Sequence, residues 1–113
     1  MPFINVKTNT VVSPEQADKL KSLLGNAITA IPGKSEAWLM VGIEDKYQLW
    51  FKGDAAPAAM VDVSLLGSAS EAALSDMTAR VTDALTGTLG LPADRIYICY
   101  QSTSFWGWNG SNF

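Results

Sequence analysis

From Phe3 to Asn9 the chain alternates, with Ile4 and Val6 on one side, which predicts a strand. Ser13-Pro14-Glu15-Gln16 then opens a helix: a serine cap, proline at the first helical position, and glutamine three residues after the cap. Behind it Ala17, Leu20, Leu24, Ala27, Ile28 and Ile31 recur at helical spacing, and Pro32-Gly33 stops the run. Ala37 to Ile43 is apolar and β-prone and reads as a buried strand. Glu44-Asp45-Lys46 breaks it before a second short strand, Tyr47 to Phe51.

The second half repeats this order. Ala59 to Leu66 reads as a strand. Ser68 to Glu71 carries a capping pattern, and Leu74, Met77, Val81, Leu85 and Leu89 mark the inward face of a second helix. Gly90 closes that helix, Pro92 follows, and Arg95 to Tyr100 is the last long strand. An offset of about 58 positions lays Gly33-Lys34 on Leu91-Pro92 and Trp38–Val41 on Ile96–Cys99. The expected fold is α+β: two βαβ units sharing a four-stranded mixed sheet, with both helices on one face. Trp38, Met40, Trp50 and Met60 are too many to bury beneath two helices, so the other face is expected to be apolar and closed by oligomerisation. A ligand-sensing ferredoxin-like regulatory domain would share this layout, and would be expected to dimerise.

Composition narrows the chemistry. With 113 residues, 17% charged and 48% hydrophobic, residues 1–113 are expected to form one domain. No apolar run nears the roughly 20 residues of a membrane span. The start, Met1-Pro2-Phe3-Ile4-Asn5, lacks the features of a secretory signal, so a cytoplasmic protein is expected. A net charge of −3 and scattered basic residues speak against nucleic acid. The single cysteine, Cys99, allows no internal disulfide and no cysteine metal cluster. Histidine is absent, which removes the usual base, the usual metal ligand and every Ser-His or Cys-His arrangement. Proton chemistry near neutral pH would need an uncommon base.

Several stretches together resemble the macrophage migration inhibitory factor family of the tautomerase superfamily. They are Met1-Pro2 leading straight into a strand, Gly33-Lys34, Trp38-Leu39-Met40-Val41, Phe51-Lys52-Gly53 with Pro57, and Ser64-Leu65-Leu66-Gly67. Pro92-Ala93-Asp94-Arg95-Ile96-Tyr97-Ile98, Gly107-Trp108-Asn109-Gly110-Ser111 and Phe113 complete the set in the family's order. The resemblance implies a homotrimer with sheets around a central channel and active sites between subunits. It also implies removal of Met1, leaving the secondary amine of Pro2 as base. An α-amine starts near about 7.7–8.0, and both burial and a nearby cation lower it. Phe3, Leu66, Trp106, Trp108 and Phe113 would wall the site and Lys34 would supply the cation.

The implied substrate is a small aromatic α-keto acid of the phenylpyruvate or dopachrome type, with no cofactor and no metal. Lys34 and the backbone N–H of Leu66 would take its carboxylate, and Tyr97 would come from the neighbouring subunit. Family members also act as cytokine-like binding proteins and are released without a signal peptide, so a receptor protein is the other implied partner. Three departures stand out. Cys99 replaces an asparagine of the mammalian proteins, and a thiol is a poor donor. Trp106 stands where a smaller residue is common. Ala58 and Val61 replace the family's Cys-x-x-Cys pair, which excludes thiol–disulfide chemistry of that kind.

Overall fold

The computed structural model describes residues 1–113. Strand β1 (Pro2–Thr8) leads to helix α1 (Pro14–Ala27), strand β2 (Met40–Glu44) and strand β3 (Ala59–Leu66). Helix α2 (Glu71–Leu89) and strand β4 (Ile96–Thr103) complete the second unit. The chain ends in a small hairpin of β5 (Gly107–Trp108) and β6 (Ser111–Asn112). The four long strands form one mixed sheet in the order β2-β1-β3-β4. β1 is parallel to β2 and antiparallel to β3, and β3 is parallel to β4.

Strand alternation decides which side is buried. Ile4, Val6 and Thr8 of β1 and Val61, Val63 and Leu65 of β3 are sealed beneath the helices. α1 sends down Leu20, Leu24 and Ala27, and α2 sends down Met77, Val81, Ala84 and Leu85. All of these except Thr8, whose hydroxyl donates to the Ala58 carbonyl at 2.8 Å, belong to one continuous apolar cluster, whose burial is the main favourable contribution to folding.

The two units repeat at 57 positions rather than 58. Ser13 and Ser70 are the two N-caps at that spacing, and the pairings Phe3↔Met40 and Ala59↔Ile96 each span 37 positions. Gly33 and Gly90 also superpose, both with positive φ (80° and 70°), a left-handed bend that glycine takes without strain. An even offset would set the inward residues of β1 on the outward residues of β3, because strand faces alternate with period two.

Other expectations change in detail. The capping box of Ser13 and Gln16 forms as read, but the cap of α2 is Ser70, which accepts the Ala73 N–H, and not Ser68. Glu36–Trp38 is a 3-10 turn, so β2 begins only at Met40. Tyr47 to Phe51 is no strand; its one ladder contact is the bridge Phe51↔Asp54. β4 runs on to Thr103, past the expected end at Tyr100. The open sheet face is less apolar than expected. Trp38 and Trp50 lie outside the strands, and outward positions of the central β1 and β3 include Asn5, Lys7, Asp62 and Ser64. Met40, Met60 and Tyr97 give that face its apolar parts. No helix is long and apolar enough to cross a membrane.

The cap assignment gives a stability prediction. Ser70→Ala should lower unfolding free energy by about 1 kcal/mol, whereas Ser68→Ala should stay within ~0.5 kcal/mol of wild type. Urea unfolding at one fixed protein concentration distinguishes the two.

Candidate active site

Two chain segments meet where β1 begins. In the antiparallel pairing of β1 and β3, Pro2 lies opposite Leu65, and one rung further the Leu66 N–H donates to the Met1 carbonyl at 3.1 Å. From the other side comes the segment after α1. It passes through a 3-10 turn at Ile28–Ala30, and the Lys34 N–H bonds the Ile31 carbonyl at 3.1 Å. The half-buried Lys34 side chain then donates from Nζ to the Leu66 carbonyl at 2.7 Å. The Leu66 residue therefore has its N–H on Met1 and its carbonyl on Lys34.

This crowding acts on the terminal amine. Burial and, after it, the Lys34 charge and hydrogen bond hold the Met1 amine below its ordinary value of 8.0. Both causes oppose the ammonium form. While Met1 is attached, the Pro2 nitrogen is an amide without basicity; without Met1 it would be an amine at the buried end of β1.

Of the expected aromatic walls, Trp108 and Phe113 come together and Trp106 joins them through the backbone. Their hairpin turns at Asn109-Gly110, the dipeptide suited to a two-residue turn with positive φ at both positions, here 54° and 84°. The Phe113 N–H bonds the Trp106 carbonyl at 3.0 Å, and the Trp108 and Phe113 rings stack at 6.1 Å and 15°. Trp38 then meets Trp108 edge-on at 5.1 Å and 87°. All three rings of this shelf are at least half exposed. Trp38 is the member that the sequence analysis left out of the site. Its signal was the spacing, four residues beyond Lys34, at the end of the 3-10 turn Glu36–Trp38.

Three expected residues stand elsewhere within one chain. Phe3 faces the open side of the sheet, opposite to Pro2, beside Gly42. Tyr97 and the exposed Cys99 lie on the open face of β4. Tyr97 pairs with Met60, and Met60 with Lys7, five residues along β1 from Pro2. At about 3.3 Å per residue that is roughly 17 Å, beyond side-chain reach. No three His, Cys, Asp or Glu side chains converge as metal ligands would.

A primary ammonium, a backbone N–H and a partly buried chain terminus, with half-exposed aromatic rings that begin at Trp38 four residues along the chain from the lysine, suit a small molecule carrying both a carboxylate and an aromatic group. The sequence profile described as "Macrophage migration inhibitory factor (MIF)" matches residues 1–113. A macrophage migration inhibitory factor homolog of Trichinella spiralis is 30% identical, with all of both chains covered. The structure of Leishmania major MIF2 superposes with a TM-score of 0.94 at 35% identity, covering 100% of this chain and 97% of that one. That of the Trichinella spiralis protein gives 0.83 at 28%, covering 98% and 99%.

Proposed function

The chain belongs to the macrophage migration inhibitory factor family of the tautomerase superfamily, and we propose that it is a cofactor-independent keto–enol tautomerase whose base is the Pro2 amine left by removal of Met1. The observation that carries this reading is the meeting of Lys34 Nζ, the Leu66 peptide and the start of the chain. Loss of Met1 does two things there at once. It turns an amide nitrogen into an amine, and it strips the Leu66 N–H of its acceptor. An uncovered donor beside an ammonium is a receptor for the carboxylate of an α-keto acid.

With the acid so held, the neutral Pro2 nitrogen takes a proton from the carbon next to the carbonyl. The C–H electron pair becomes the C=C bond as the C=O π pair moves onto oxygen, which takes a proton from solvent; the Pro2 ammonium releases its proton to solvent, and the reverse path returns the ketone. A base whose ammonium form is disfavoured by burial and a neighbouring cation suits this step, and a positioned base contributes about 10²–10⁴-fold to rate. Trp38, Trp108 and Phe113 offer the shelf for the aromatic ring. The assembly is a homotrimer in which a second copy brings Tyr97 and Cys99 to the Pro2 site. In its support, both edge strands, β2 and β4, lack a neighbour within the chain.

The test is a spectrophotometric phenylpyruvate keto–enol assay on protein shown by intact mass to lack Met1, with its size measured alongside. Turnover by a trimer is expected. Failure with both phenylpyruvate and a dopachrome-type substrate would leave a binding protein with a vestigial pocket.

A further inference from the structure

The segment between β2 and β3 has no helix and no paired strand, yet its main chain is held from two sides. Asn9 Nδ2 donates towards the carbonyls of Leu49, Ala55 and Ala56 at 3.0–3.2 Å, and Asn9 Oδ1 accepts the Ala58 N–H at 2.9 Å. Arg95 works from the 3-10 turn Ala93–Arg95, just before β4. Its Nε donates to the Pro57 carbonyl at 3.0 Å, and its Nη2 lies 3.0 Å from the Ala56 carbonyl and 3.3 Å from that of Phe51. The Asp54 carboxylate sits 2.9 Å from the same nitrogen. The Arg95 side chain is only 13% exposed, far less than an arginine that merely serves solubility.

What this clamp holds in place is the Phe51 ring. The guanidinium lies 5.2 Å from its centroid, and the ring in turn meets Tyr97 edge-on at 5.0 Å and 77°. Tyr97 is 61% exposed even with this contact, so few neighbours within the chain select among its rotamers. We infer that Phe51, fixed by Arg95, is a positioning residue for Tyr97 and thereby sets affinity for the aromatic substrate in the adjoining copy. This rests on the proposed tautomerase reading and on Tyr97 reaching that site. It makes a loop remote from its own chain's Pro2 a determinant of substrate binding in the adjoining copy, acting through one ring–ring contact.

Phe51→Leu keeps apolar bulk but removes the ring edge. It should raise KM for phenylpyruvate by about two- to tenfold, the worth of one aromatic pair. The pH at which activity rises and the trimer size should stay unchanged. Phe51→Tyr should keep the wild-type KM, while Arg95→Lys, which cannot reproduce the fork of contacts, should resemble Phe51→Leu. The double variant Phe51→Leu/Tyr97→Leu should be no worse than Tyr97→Leu alone, because the first change acts only through the second residue. Additive effects would overturn the inference. So would a wild-type KM in Phe51→Leu when Tyr97→Leu raises it, or a Tyr97→Leu enzyme with normal KM. A wild-type protein without turnover would instead bring down the tautomerase reading itself, and this inference with it.

Discussion

Protein that keeps Met1 is expected to turn phenylpyruvate over about 10²–10⁴-fold more slowly than protein lacking it, the range for loss of a general base. An acylated nitrogen has no lone pair to offer a proton. The deficit should extend to binding, because the Met1 carbonyl already occupies the Leu66 N–H. Fractions with and without Met1 can be told apart by intact mass and assayed side by side. Pro2→Gly in Met-free protein should also lose activity, but by less, since it still ends in an α-amine. Equal rates from the two wild-type fractions would remove Pro2 from the mechanism altogether.

Lys34→Met is expected to lower kcat/KM by roughly ten- to a hundredfold, the cost of losing a charged hydrogen-bond partner for the substrate carboxylate. It should also move the pH dependence. A base acts when deprotonated, so activity rises with pH through its pKa. Burial and then Lys34 hold the chain-terminal amine below 8.0 in the Met1-bearing protein, and the same causes would act on an amine at Pro2. Removing the Lys34 charge relieves part of that depression, so the rise in activity should shift to higher pH. A pH profile of kcat/KM for wild type and Lys34→Met checks both effects. A variant with lower activity but an unmoved profile would confine Lys34 to carboxylate binding.

Local signals in the sequence proved sound where the interaction itself is local. Ser13 and Gln16 lie within one helical turn, and their reciprocal bonds form as the residue types require. The inward stripes of both helices were legible for the same reason, since one period governs each. Reading failed where a distant group decides. Tyr47, Leu49 and Phe51 alternate like a strand, but the backbone around them finds partners in Asn9 and Arg95, some 40 positions away in sequence. Ala37 and Trp38 read as the opening of a strand because nothing nearby marks the 3-10 turn or announces Trp108 as a neighbour of Trp38. The tail hairpin was missed although Asn109-Gly110 is a strong turn signal, because only two residues flank it on each side. The repeat was visible in outline and misplaced by one position, since weak identities outvoted the parity of the strands. For the site, Lys34, Leu66, Trp108 and Phe113 could be named from resemblance alone. That Tyr97 lies far from Pro2 within one chain follows only from strand register.

The clamp around the loop before β3 has a consequence for how this protein can change. Asn9 and Arg95 grip chiefly main-chain carbonyls, a group that every amino acid carries. Apart from Phe51 and Asp54, the side chains from Tyr47 to Ala55 are therefore relieved of structural duty in this grip. Mutations at Gln48 or Trp50 can redraw the chemistry of that surface while the backbone path stays put, whereas Lys52 and Gly53 hold left-handed backbone (φ 53° and 80°) that restricts what can replace them. Selection, or a protein engineer, can treat this stretch as a replaceable label on a fixed holder.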